Sequence, residues 1–153
     1  MEITTERWGD LYDQAFPHVY RALVAATFDR ERALDGLHDA FEEGLRHPPS
    51  DDRNLEGWLY RVALRKTRRG LFARKREVSI GERAGSDGVA AVLDRIEVGR
   101  LLALLTERQR AIVVAHYYLG LTQDEIAEAL GVKRGTVSAT VSQSLARMRE
   151  VAK

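Results

Sequence analysis

Leu121 to Glu150 reads LTQDEIAEALGVKRGTVSATVSQSLARMRE, and the fold is decided there. Thr122 and Glu125 stand three apart, the spacing of a capping box at a helix start. Ile126, Ala127 and Leu130 give the short helix one apolar side, and Gly131 follows where the chain must turn. Val132 packs the turn. A second helix then runs through Val137, Val141, Leu145 and Met148, whose spacings of four, four and three share one face. Its opposite face carries Gly135, Thr136, Ala139, Ser142 and Gln143, flanked by Ser138 and Thr140. Small polar residues on an outward face suit a major groove, where side chains meet base edges. The pattern predicts a helix-turn-helix rather than a plain helical hairpin, because cap, turn glycine, apolar register and polar face agree.

Upstream of this stretch the pattern is helical throughout. Trp8, Leu11, Tyr12, Ala15, Phe16, Val19, Tyr20, Leu23 and Val24 form an apolar stripe that Pro17 interrupts, predicting a kink or two abutting helices. Asp29 is placed to cap the next helix, with Ala33, Leu37, Ala40, Phe41 and Leu45 inward and Asp35, His38, Asp39, Glu42 and Glu43 outward or flanking. By composition that acidic face is solvated surface or a dock for a basic partner, the first being the commoner case. Residues 47–53 read as a loop. Asn54 is placed to cap a helix that buries Leu55, Trp58, Leu59, Val62 and Ala63. Arg61, Arg65 and Arg68 share one flank of it, with Trp58 at the edge and Arg69 beside. Arginines beside an aromatic hold phosphates and stack a base, while Trp58 in a core would serve packing alone.

Val78 to Gly88 mixes glycine, serine and charge without apolar period, as a linker does. A helical pattern resumes over 89–105. Thr106 and Gln109 make a second capping box, opening a helix with Ile112, Val113, His116 and Tyr117 that ends at Gly120. No strand candidate of convincing length occurs. The expected class is all-α: two small helical domains, 1–77 and 89–153, joined by the linker 78–88, with the helix-turn-helix in the second.

The net charge of +1 hides an uneven layout. Residues before Pro48 are acid-rich, whereas Trp58 to Arg76 holds no acid and eight basic residues, a block that suits a polyanion. The absence of cysteine excludes disulfides and thiolate metal sites and fits a reducing cytoplasm. No apolar run approaches bilayer length and the first ten residues make no signal peptide, so a soluble, cytoplasmic protein without membrane insertion is expected. His18, His38, His47 and His116 show no metal-binding spacing, and there is no phosphate loop or nucleophile elbow. Neither metal, cofactor nor enzymatic activity is expected.

Two blocks resemble bacterial sigma factors of the extracytoplasmic-function (ECF) type. Residues 33–41, ALDGLHDAF, resemble the A-x-D-x-x-Q-x-x-F of region 2, and residues 58–63, WLYRVA, resemble its W-L-x-x-I-A before a basic run. Residues 105–110, LTERQR, resemble the L-P-x-x-x-R of region 4, and 123–137 resemble its x-x-E-I-A-x-x-L-G-V-x-x-G-T-V. The order, the intervening linker and the lack of a region 3 fit the ECF type. The resemblance implies a protein that binds core RNA polymerase, recruits it to promoter DNA and helps open the duplex. Region 2 would read and melt the −10 element through Asn54, Trp58, Arg61, Arg65, Arg68 and Arg69. Region 4 would read the −35 element through Lys133, Arg134, Thr136, Ser138, Ala139, Thr140, Ser142 and Gln143, and dock on the polymerase flap. Asp35, His38, Asp39 and Glu42 would meet the polymerase clamp helices, which reverses the plain-surface reading of that face. An anti-sigma factor is a further partner that the sequence leaves open. Two departures matter. His38 stands where the family has Gln, and the recognition helix is poor in cations, which weakens its phosphate contacts. The rival readings are an autonomous helix-turn-helix regulator and a degenerate sigma-like protein acting through protein contacts.

Overall fold

The computed structural model describes residues 5–50, 54–74 and 96–152. Seven helices occur among them and no strand: α1 (Thr5–Thr27), α2 (Arg30–Arg46), α3 (Leu55–Arg74), α4 (Ile96–Leu102), α5 (Glu107–Tyr117), α6 (Gln123–Leu130) and α7 (Arg134–Ala152). The expected linker, 78–88, lies outside the described residues, as does the start of the helix expected from residue 89.

Of the kink or two abutting helices expected at Pro17, the second is excluded, because α1 runs as one helix through it. Pro17 sits on the exposed side, where the carbonyl it leaves unpaired can meet water. The helix buries Trp8, Tyr12, Ala15, Val19, Leu23 and Val24. It stops at Phe28, whose φ of 55° is left-handed, and Thr27 Oγ1 returns to the Leu23 carbonyl at 2.8 Å. Asp29 caps α2 as expected, its carboxylate accepting the Arg32 N–H at 3.1 Å. A cap of this kind contributes about 1 kcal/mol.

Helices α1, α2 and α3 pack around one apolar centre. Trp8 is fully buried and its indole Nε1–H donates to the Phe41 carbonyl at 3.0 Å. The ring lies so close to α2 that a Cβ on Gly44 would come within 1.9 Å of it. Leu45, expected inward, is instead 40% exposed. It follows Gly44, whose face of α2 is the one turned to Trp8, so Leu45 lies about 100° further round the helix.

The second half closes on the first. Helix α5 packs against α1, and α6 touches α3. The Tyr60 hydroxyl of α3 donates to the Ala111 carbonyl of α5 at 2.8 Å, deep in the shared core. Arg110, only 3% exposed, donates from Nε to the Ala26 carbonyl at 3.0 Å and from Nη1 to the Leu105 carbonyl at 2.8 Å. Its guanidinium lies 4.0 Å above the Phe28 ring, at the negative end of the α1 dipole. Arg32 and Glu107 pair at 2.8 Å in a half-buried setting. The buried side chains of both halves therefore form one core.

Candidate nucleic-acid interface

The helix-turn-helix is built as its sequence dictates. Thr122 Oγ1 accepts the Glu125 N–H at 3.1 Å, and Glu125 Oε1 accepts the Thr122 N–H at 3.0 Å. The bond from the Thr122 backbone is the main reason the Glu125 carboxyl is held below its ordinary pKa; burial opposes it, and Asn54 and Arg61 add to the lowering. Gly131 closes α6 at φ 67°, a left-handed turn that a Cβ would strain. Ile126, Ala127 and Leu130 are buried beneath it.

Helix α7 buries Val137 and Val141, with Leu145 and Met148 half-buried along the same line. Its outer side exposes Gly135, Thr136, Ser138, Ala139, Ser142 and Gln143, while Thr140 is half-buried at the flank. Lys133 and Arg134 are exposed at its start, where Arg134 reaches Asp124 at 3.7 Å. The candidate −35 residues thus share one solvent-facing side and end. Ser144, next to Gln143 in sequence, lies on the other side of the helix. It is completely buried, and its hydroxyl has no hydrogen-bond partner among the described residues. It lies two turns on from Val137 and about one from Val141, which places it on the inner face, where a small side chain lets helices approach.

In the first half, Asn54 caps α3, its Oδ1 accepting the Gly57 N–H at 3.1 Å. Its Nδ2 donates to Glu125 Oε2 of α6 at 3.3 Å. Trp58 is half-buried, edge-on to Trp8 with ring centres 5.5 Å apart. Trp58 therefore packs on the core with part of its ring and leaves the rest open. Arg61 is one-third exposed and faces Glu128 of α6 at 3.7 Å, and Arg65 is exposed. Arg68 and Arg69 lie within α3, but their side chains fall outside the described residues. On α2, Asp35, His38, Asp39 and Glu42 are all exposed, and their spacing puts them on one face.

Four contacts were not read from the sequence. Tyr60 and Arg110 tie the halves together, and Glu125 and Glu128 face the candidate DNA residues Asn54 and Arg61. Each needs the packing of two distant segments, so no local pattern carried it. The end of α5, expected at Gly120, is corrected. Tyr117 is 58% exposed and His116 half-buried, and the helix ends at Tyr117, before the turn at Gly120. No group of three or more His, Asp or Glu able to hold a metal occurs among the described residues, and none of their helices is long and apolar enough to cross a membrane.

Comparison with known proteins adds sequence and fold likeness. Residues 95–148 match the family model described as Sigma-70, region 4. The chain is 27% identical over 150 residues to the ECF RNA polymerase sigma factor SigL of Mycobacterium tuberculosis, covering 91% of this chain and 85% of that one. It is 32% identical over 104 residues to the RNA polymerase sigma-E factor of Streptomyces coelicolor, covering 65% and 59%. Among solved structures, the sigma factor RpoE bound to the anti-sigma factor NepR, from Bartonella quintana, superposes with a TM-score of 0.75 at 19% identity, over 97% of this chain and 98% of that one. CnrH in complex with the cytosolic domain of CnrY gives 0.67 at 21% identity, over 97% and 89%. At those identities the two structures speak to the fold.

Proposed function

Since the chain belongs to the sigma-70 family of RNA polymerase sigma factors, in its ECF group, we propose that it binds core RNA polymerase and directs it to chosen promoters. One observation carries the reading. A capped helix-turn-helix with an exposed polar recognition face sits in a chain that aligns almost end to end with an ECF sigma factor. Residues 1–77 act as region 2, 78–88 as linker and 89–153 as region 4.

The roles follow from the chemistry of each face. Gln143 offers a paired donor and acceptor suited to adenine, and the hydroxyls of Thr136, Ser138, Thr140 and Ser142 bond to several bases. Lys133 and Arg134 hold phosphates, which positions the helix without specifying sequence. Arg61, Arg65, Arg68 and Arg69 hold the −10 strand, with Asn54 and the open edge of Trp58 beside them. The carboxylates of Asp35, Asp39 and Glu42, with His38, form a face for a basic surface on the polymerase. Work at the promoter places the protein in the cytoplasm. The two solved structures hold anti-sigma factors, and a partner of that kind for this chain is part of the proposal.

Gel filtration with core polymerase tests the first step. Co-elution is expected, and Asp35→Arg with Asp39→Arg should weaken it. An autonomous helix-turn-helix regulator would elute apart from core enzyme and still bind its operator. A degenerate, protein-contact form would co-elute yet support no initiation.

A further inference from the structure

We propose that the cleft between α1, α4 and α5 is a small-molecule site that takes one apolar carboxylate of the size of a medium-chain fatty acid. The cleft encloses about 480 Å³, within the range that holds small ligands. Its floor is apolar. Ala25 of α1, Leu102 of α4, and Val113 and Val114 of α5 line it and are buried. Its mouth is built differently. Arg21 of α1 is exposed there, and so are Tyr117 and Tyr118 at the end of α5, at 58% and 39%. Apolar walls with aromatic rings and a few polar groups at the rim are the usual make-up of a ligand site.

The rim sets the head group. Among the described residues no carboxylate lines the cleft, and Arg21 makes no ion pair with any of them. A guanidinium is a planar fork of donors that matches a carboxylate. The phenol hydroxyls of Tyr117 and Tyr118 also lack a hydrogen-bond partner among the described residues, which leaves two more donors at the rim. Glu56 is joined to this rim through His18, whose ring lies 4.2 Å from that of Tyr118, but its carboxylate is held by the His18 imidazole. Arg21 and Ala25 are one turn apart on α1, so the cation stands beside the apolar floor. An apolar tail under a single anionic head satisfies both levels. A partner's helix fits less well, because it needs a stripe of anchors along a groove, whereas this floor converges from three helices. The site rests on this cleft and not on the sigma-factor reading, so either can fail without the other.

Decanoate is the probe, and decyltrimethylammonium, with the same chain and the opposite head charge, is its control. Titration calorimetry on the full chain should give one decanoate per chain with a Kd of about 10–100 µM, and binding of the cation at least about tenfold weaker. Decanoate at about ten times its Kd should raise Tm by about 3–5 °C. Arg21→Glu changes an exposed residue. It should weaken decanoate at least about tenfold and remove the preference over the cation. Ala25→Leu fills the floor and should abolish decanoate binding. Should that variant fail to fold, Tyr117→Ala alters only the exposed rim and should weaken decanoate about fivefold. Absence of saturable decanoate binding up to about 1 mM overturns the site. So does uptake of many molecules per chain without saturation, equal affinity for the cation, or affinity that Arg21→Glu leaves unchanged. Unchanged affinity in a folded Ala25→Leu variant, or in Tyr117→Ala, overturns it as well.

Discussion

Single side chains in this protein divide between those proposed to read DNA and those that hold the fold. Gln143 is exposed on α7 with no structural task evident, so Gln143→Ala should relax preference at one base pair by about 1–3 kcal/mol of discrimination. A promoter library scored with the two proteins checks this, and unchanged preference at every position excludes direct readout by Gln143. Lys133→Ala and Arg134→Ala should instead weaken binding to all sequences and lower its salt dependence. Gly44 is the opposite kind of residue. With a Cβ 1.9 Å from the Trp8 ring, Gly44→Ala should destabilise the fold by about 1–3 kcal/mol or more, read from the urea midpoint. The periodic apolar pattern announced Trp8 as core but gave no hint of Gly44, since a glycine adds nothing to a hydrophobic stripe. Ser144 was hidden for a related reason. Its hydroxyl reads as surface, while its position on the helix puts it inside.

At the scale of elements, the helix-turn-helix was legible almost residue by residue. Thr122, Glu125 and Gly131 act through their own backbone neighbours, and local chemistry is what a sequence states most directly. The second capping box at Thr106 and Gln109 formed for the same reason. What escaped was the end of one apolar face, where Leu45, expected inward, is 40% exposed. The capping box also makes a pH prediction. Because the fold lowers the Glu125 pKa, its contribution is present above the ordinary value of 4.5 and is lost as pH falls through the folded value. Acid titration followed by circular dichroism should show this loss in the wild type. Glu125→Gln keeps a side-chain oxygen for the cap and should remove that part of the acid dependence.

For the whole molecule, the all-helical content was legible, whereas the packing of the two halves into one core was not. Tyr60 and Arg110 join residues far apart in the chain, and nothing near either of them in sequence marks the partner. Burial raises the Tyr12 phenol to about 12, with Asp13 adding, and pushes the Tyr60 phenol up as well. A raised phenol pKa means stability that is intact below the unfolded value near 10 and lost as pH rises above it. Small-angle scattering between neutral pH and pH 11 should therefore show the chain expanding as tyrosinate absorbance grows. Tyr60→Phe should already be more expanded at neutral pH. An alkaline chain that ionises Tyr60 without losing compactness would show that its burial does not hold the halves together.

The central claim is that this chain gives core polymerase its choice of promoter. The most direct measurement is transcription from a genomic DNA library by core polymerase with and without the purified chain, with the RNA 5′ ends mapped. The account predicts discrete new start sites that share two upstream elements and depend on the added protein. An unchanged pattern of 5′ ends, with the protein folded and present in excess, would contradict it.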